Sequence, residues 1–429
     1  MTLRACLLFV PVLAVAACSS SSPSSAGGGQ GDGGSSSGST SSSGSSSGAA
    51  GDDGGELLAP PPAGQGVQYS MQGSIAASSE DEQCQFVQTT EDMWVNHEDV
   101  RYTPGSHHFI VWNTPYTSIP TTSNSGKTVD TTKVFDCVGG PAADWNTTQF
   151  IGGAQSADAP PMLSDLPPDV ALHIPSGSVL VLDLHVLNTT MQAMNPVVAI
   201  NFDTIPKSAV TQEAGIYFFY NPFIVVPPNA QAHARMSCPV TSNLTLTTAQ
   251  THMHKWGLGG SANLEDASGN VLKQMYTSSV WTDPPVTQWP APGYALTAGQ
   301  QIDYECNYEN DGTTAIVQGL SAATNEMCVF VGAYYPRDAK FETCSTTGAF
   351  TDLSNAATYI GTGAADCTTS MQCVSGAKDA ATFYGCVTNS CPGIAKPFTA
   401  ALDCFSANGS TAQTACATQI SACAATTCN

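Results

Sequence analysis

Between about residue 66 and residue 350 the apolar positions come in short runs that alternate with polar ones. Gly, Pro, Asn and Asp break them every few residues. In the first half such runs are Cys84-Gln85-Phe86-Val87, His108-Phe109-Ile110-Val111-Trp112 and Val179-Leu180-Val181-Leu182-Asp183-Leu184-His185. In the second half they are Ile216-Tyr217-Phe218-Phe219, Phe223-Ile224-Val225-Val226 with Pro227-Pro228 as a stop, and Val329-Phe330-Val331. Short runs with a period of two, bounded by turn formers, are strands of antiparallel sandwiches. No long helical period interrupts them. The pattern predicts two β domains in tandem, 66–205 and 206–350, joined near Ile205-Pro206.

The two ends differ from this middle. Arg4 precedes an apolar run, Leu7 to Ala17, that is too short to span a membrane as a mature helix. It ends in Val15-Ala16-Ala17-Cys18, which resembles a bacterial lipobox, so 1–18 is expected to be a lipoprotein signal peptide with Cys18 the acylated residue. Residues 19–65 begin with a tract of Ser and Gly that cannot bury a core, and are expected to be a flexible linker. The last segment, 360–429, carries Cys367, Cys373, Cys386, Cys391, Cys404, Cys416, Cys423 and Cys428. Cys404, Cys423 and Cys428 each follow Cys367, Cys386 and Cys391 by 37 residues. This predicts two copies of a small four-cysteine unit, stapled because neither can build an adequate core. Paired C-x2-C spacing is absent, so disulfides are favoured over zinc; within a unit three pairings are possible.

The chain has 429 residues, 12 Lys+Arg against 34 Asp+Glu, and a net charge of −22. No basic face is available for a nucleic acid. A secreted, oxidising destination suits the cysteines: of 16, those beyond Cys6 and Cys18 are even in number.

Candidate chemistry sits in four short stretches, which hold five of the 8 histidines. In Thr251-His252-Met253-His254, the i and i+2 imidazoles of an extended strand point to one face, with Met253 turned away. The others are Ser106-His107-His108-Phe109, Leu182-Asp183-Leu184-His185 and Asn325-Glu326-Met327-Cys328. Imidazole with a thioether suits copper, which passes through a soft Cu(I) state. His252, His254 and Met327 would form one site with open positions; His107, His108 and His185 would form a second, all-nitrogen one. Adjacent His107 and His108 would face opposite ways on a regular strand; for both to reach one metal the strand must be bulged or the two rings must bind through different nitrogens, and an irregularity is expected there. His97, His173 and His233 match no ligand motif. Ligand imidazoles must be neutral, so copper affinity is expected to fall as pH drops through roughly 6.5.

Taken in order, these motifs resemble the copper type II, ascorbate-dependent monooxygenases, the family of peptidylglycine α-hydroxylating monooxygenase and dopamine β-monooxygenase. The likeness covers roughly 66–350. It rests on the His-His pair, on His185 ending an apolar strand, on His-x-His followed by Gly257, and on Glu326-Met327-Cys328 followed by Tyr334-Tyr335. The run Ala214-Gly215-Ile216-Tyr217 through Val226-Pro227-Pro228 to Cys238 also matches the opening of the family's second domain. The resemblance implies an all-β fold of two jelly-roll-like sandwiches, one copper on each, facing across a solvent-filled cleft. It implies that His252, His254 and Met327 hold the copper that binds dioxygen and hydroxylates the substrate. His107, His108 and His185 would hold the copper that stores and delivers an electron. It also implies the pairings Cys84–Cys137, Cys306–Cys328 and Cys238–Cys344.

There are departures. The peptide-amidating enzyme has an arginine two residues before His-x-His that grips the peptide carboxylate, and here Gln250 stands there. A helping tyrosine four residues past the methionine is Val331 here, and a glutamine two before His185 is Asp183. A neutral amide does not replace a bidentate cation, which argues against a C-terminal glycine peptide as substrate. The expectation is a monooxygenase with two coppers per chain, dioxygen, and ascorbate or another reductant, acting on a small molecule or peptide. It would be tethered by lipid at the bacterial cell envelope, on the outer membrane or cell surface. The alternatives are a non-catalytic cell-surface copper-binding protein and a surface adhesion module.

Overall fold

The structure, a computed structural model, describes residues 57–103, 106–137, 139–155, 160–164, 166–221, 223–344, 363–377, 380–408 and 412–428. The expected signal peptide, Cys18 and most of the expected linker lie outside the described residues. Among the described residues no helix is long and apolar enough to cross a membrane. The end of the expected linker is held onto the first sandwich: Gln68 and Asn201 side-chain amides donate to the carbonyls of Leu58 and Ala59 at 2.8 Å.

The fold is all-β with a small disulfide-rich tail. In the first sandwich, one sheet orders the strands Gly66–Gln72, Val197–Thr204, Met93–Tyr102, Val170–Ile174 and Gln212–Glu213. The facing sheet orders Phe135–Asp136, Ser79–Gln88, Val179–Asn188, Ser106–Asn113 and Gln149–Ala154. Their apolar faces close over a core that includes Phe109, Leu182, Leu184, Ile200 and Phe202. The second sandwich sets Thr287–Gln288, Thr248–His252, Val329–Tyr335, Leu244–Leu246 and Tyr294–Leu296 in one sheet, with Gly215–Tyr220 also paired to Val329–Tyr335. Opposite lie Ala230–Pro239, Gln301–Asn310, Gly257–Glu265 and Val271–Ser278.

The strand Val329–Tyr335 explains how the sandwiches meet. Every residue in it is buried. Phe330 and Tyr334 pack with Tyr217 and Phe219 in the second core. Val329, Val331 and Ala333, on the other face, pack into the core of the first sandwich. A strand buried on both faces needs a continuous apolar run, and this is what the sequence carries. The short stretch 160–164 adds polar ties between the sandwiches: the Thr248 hydroxyl donates to Met162 O at 3.0 Å, and Gln288 Nε2 to Ser164 Oγ at 2.9 Å.

The tail is helical, with helices Cys367–Gly376, Ala380–Thr388, Ala395–Asn408, Ala412–Ala415 and Ala417–Ala425. The expectation of two self-contained four-cysteine units is overturned. Cys373–Cys386 and Cys404–Cys416 each lie within one copy, but Cys367–Cys423 and Cys391–Cys428 cross between copies. The middle cysteine bonds forward in the first copy and backward in the second. This frees Cys367 and Cys423 for each other, and it is where the 37-residue offset breaks. The copies share one core because each is too small alone: Val387, Ile394, Phe398 and Leu402 join the core of the second sandwich.

Candidate metal centre

His108 and His185 are directly opposed on the paired strands Ser106–Asn113 and Val179–Asn188. The register slips between Ser106 and His108, so His107 is the extra residue of a bulge. That irregularity brings two adjacent rings to one place. The His107 ring lies 5.1 Å from that of His108 and 5.2 Å from that of His185, and His108 lies 5.0 Å from His185, centre to centre.

His252 ends the strand Thr248–His252, opposite Val329, and His254 follows in the turn. Their rings are 5.2 Å apart, while Met253 between them is fully buried in the second core. The next support was quoted in the sequence as part of a motif but given no role there. Glu326 is buried, and its carboxylate accepts the backbone N–H of His254 at 3.0 Å, of Trp256 at 2.7 Å and of Met327 at 3.2 Å. Burial pushes its pKa up to about 7 against the pull of those amides. Asn325 O lies 3.1 Å from His254 Nδ1. One carboxylate therefore ties together the backbones of His254 and Met327. The Met327 side chain is partly buried against the core of the first sandwich.

The two sets are contiguous. His107 lies 5.0 Å from His252 and 5.8 Å from His254, and His108 lies 5.4 Å from His252. Donor atoms of His107, His252 and His254 fall within 4.8 Å of one another, as do those of His107, His108 and His185. This corrects the expected pair of sites facing across a solvent-filled cleft: all five imidazoles are buried in one cluster. The doubly buried strand Val329–Tyr335 draws the sandwiches together. At His107, His108, His252 and His254 the rings are neutral and carry no charge to force them apart. Burial, and then the neighbouring imidazoles, hold His107, His108 and His252 well below the usual histidine range. Burial takes His254 down to about 4, with the Asn325 carbonyl opposing. Neutral imidazole is the form that binds metal. His107 Nε2, His108 Nδ1, His252 Nε2 and His254 Nε2 are buried without a hydrogen-bond partner. Such orphaned nitrogens are costly unless something else satisfies them, and a copper ion fits them.

Carboxylates line the first set; of these the sequence motifs include Asp183, with no role assigned, and leave out Glu80 and Glu82. Glu82 is opposite His185 across the strand pair, and Asp183 is two residues before it, so all three share a face. Glu82 and Asp183 are both buried; burial raises both, and their mutual contact raises Glu82 further. Trp112 Nε1 donates to Asp183 Oδ2 at 3.1 Å. Glu80 Oε1 lies 2.8 Å from His185 Nε2. Despite partial burial, Glu80 is lowered to about 2 by His185 and by donors from Ala322 and Ser321. The signal available was position: Glu80 and Glu82 alternate along one strand, on the face that carries His185. Trp281 meets the edge of His107 at 6.3 Å between ring centres.

The remaining histidines lie apart. His173 stacks on Trp94 at 4.1 Å, His97 Nδ1 faces Ser164 O at 3.3 Å, and His233 is exposed. Cys84–Cys137, Cys238–Cys344 and Cys306–Cys328 are disulfides, the pairs that the resemblance implies. The last of these fixes the residue next to Met327.

Residues 212–357 match the family described as copper type II ascorbate-dependent monooxygenase, C-terminal domain. Over this segment the chain is similar to the copper type II ascorbate-dependent monooxygenases. The matched segment contains His252, His254, Glu326 and Met327. No curated protein matches the chain. Among solved structures, one of infectious bursal disease virus Gx strain is 8% identical, with 63% of this chain and 71% of that chain covered and a TM-score of 0.13. The PBSX exported protein XepA is 8% identical, with 63% and 86% covered and a TM-score of 0.12. At these scores neither likeness carries an argument.

Proposed function

We propose that this protein is a copper-dependent monooxygenase that hydroxylates a C–H bond, using O2 and an electron donor such as ascorbate. The observation that carries the reading is the set of partnerless buried imidazole nitrogens beside the family's copper domain. His252, His254 and Met327 would hold the copper at which dioxygen binds, and His107, His108 and His185 a second copper that delivers an electron. Bound copper supplies the one-electron redox chemistry and the position for dioxygen. The chain's own residues do the rest. Glu326 orients the turn that carries His254 and the backbone of Met327. The bulge at His107 aims two adjacent rings at one point, and the surrounding burial favours the neutral form of His107, His108, His252 and His254. One oxygen atom enters the C–H bond and the other leaves as water, with two electrons and two protons from the donor and solvent.

The substrate is not a C-terminal glycine peptide on this reading. Gln250 is fully buried, its amide directed at Met162 Sδ at 3.6 Å, and it presents no cation to a carboxylate. Lipid anchoring through Cys18 at a bacterial envelope, outer membrane or cell surface, belongs to the same proposal. The test is mass spectrometry after incubation with copper, ascorbate and a library of C–H substrates, together with oxygen uptake. A product heavier by one oxygen atom is expected. Copper binding without any reductant-dependent product would instead support storage or delivery.

A further inference from the structure

We propose that Glu80 is a positioning residue that fastens the three-histidine set of the first sandwich to the segment carrying Met327 in the second. Glu80 lies on the strand Ser79–Gln88, opposite Leu187 and so diagonal to His185 on the same face, within reach of a long side chain. Its carboxylate gathers four donors. His185 Nε2 stands at 2.8 Å, Ser321 Oγ at 2.9 Å, Ala322 N at 2.7 Å and Ala323 N at 3.3 Å. The last three belong to the turn that leads directly into Asn325, Glu326 and Met327. Asn325 O and the Glu326 carboxylate then hold His254. The stretch 321–327 therefore contacts one histidine set through Glu80 and carries supports of the other.

Two consequences follow from an acceptor-only carboxylate. His185 Nε2 must carry the proton, so in the neutral ring Nδ1 is the lone-pair nitrogen left for a metal. And the turn at 321–323 is pinned to the first sandwich by two backbone N–H groups, so movement of either sandwich at this point is felt by the other's histidines. The metal part of this inference rests on the copper reading; the tautomer and the pinning do not.

The test uses the full chain, first without metal. 15N imidazole shifts report the His185 tautomer, and amide hydrogen exchange reports Ala322 and Ala323. The wild type is expected as the Nε2–H tautomer. Glu80→Ala is expected to raise exchange at both amides by about tenfold or more and to release the tautomer. Ser321→Ala is expected to raise exchange at the turn while leaving the tautomer as it was. If Glu80→Ala does not fold, Glu80→Gln serves. With its carbonyl in the place of Oε1 it keeps His185 Nε2 and Ala322 N, but its NH2, a donor, then faces Ala323 N in the place of Oε2, so exchange at Ala323 must rise; with the amide turned the other way, His185 loses its acceptor and the tautomer must change. With copper added, loss of the carboxylate is expected to weaken metal at the three-histidine set roughly 10- to 100-fold. An Nδ1–H tautomer in the wild type, or unchanged exchange at Ala322 and Ala323 in the variants, would overturn the proposal. If the wild type takes up no copper at all, the copper reading falls, while tautomer and exchange still decide the role of Glu80.

Discussion

His108 and His185 face each other across a strand pair, whereas His252 and His254 sit where a strand runs out into a turn. The first set is built on three neighbouring strands, and its supports are side chains: Glu80, Glu82 and Asp183. The second is built on one strand end and a loop, and its support is a single carboxylate, Glu326, that holds backbone N–H groups. A ladder fixes a ring by register. A loop has to be fixed by its amides, which is why a buried carboxylate and the Cys306–Cys328 bond converge on the residues around Met327. The first set is thereby suited to hold a metal in one geometry. The second depends on a loop whose amides Glu326 holds.

The sharpest way to break this comparison is Met327→Ile. Ascorbate-dependent product and oxygen uptake should fall to background, while copper held by His107, His108 and His185 persists in the electron paramagnetic resonance spectrum. Unchanged turnover would sink the division of labour. A smaller effect tests the shared strand. Phe330→Ala should cost about 3–5 kcal/mol in denaturant unfolding, because it opens a cavity in the second core. A cost under about 1 kcal/mol would mean that this core does not depend on the strand. Removing a disulfide should cost about 2–5 kcal/mol whether the pair is Cys84–Cys137 or Cys306–Cys328. In folded protein, however, only loss of the second pair should lower kcat, since only it adjoins Met327. Equal losses of kcat would erase the distinction.

The finest test is pH. The folded pKa of His254 is depressed to about 4, below the ordinary value of 6.5. As pH falls below 6.5 the unfolded chain binds a proton that the folded one refuses. The histidine therefore favours folding above 6.5, and this contribution is lost as pH falls toward 4. The limit is about 1.4 kcal/mol per pH unit for one such group. Calorimetry of the metal-free wild type against His254→Gln should show the difference between them changing in that window and level outside it. The same burial moves the acid loss of copper below the 6.5 expected from free histidine. A copper titration with its midpoint at 6.5 would show that the imidazoles are more solvated than their burial implies.

Much of the fold was legible because period-two runs and turn formers are local properties. So were the donor types of the candidate site: the histidines His107, His108, His185, His252 and His254, which the structure brings together, stand out by type and spacing without any coordinates, as does the thioether of Met327. Even the bulge at His107 was foreseeable, since two adjacent side chains of a regular strand cannot converge. Glu80 and Glu82 escaped notice because an acidic residue on a half-exposed strand looks like any solvated one until its cross-strand neighbour is known. The crossed disulfides of the tail escaped for a related reason, since spacing limits the pairings but does not choose among them.

The sequence by itself determined the strand pattern and the donor types, because both are written in residue identity at short range. Only the tertiary structure decided that the two histidine sets lie against each other. That follows from Val329–Tyr335 burying both of its faces, and from one carboxylate, Glu80, accepting from both sandwiches. Such contacts join residues some 240 positions apart, and no local pattern encodes their distance.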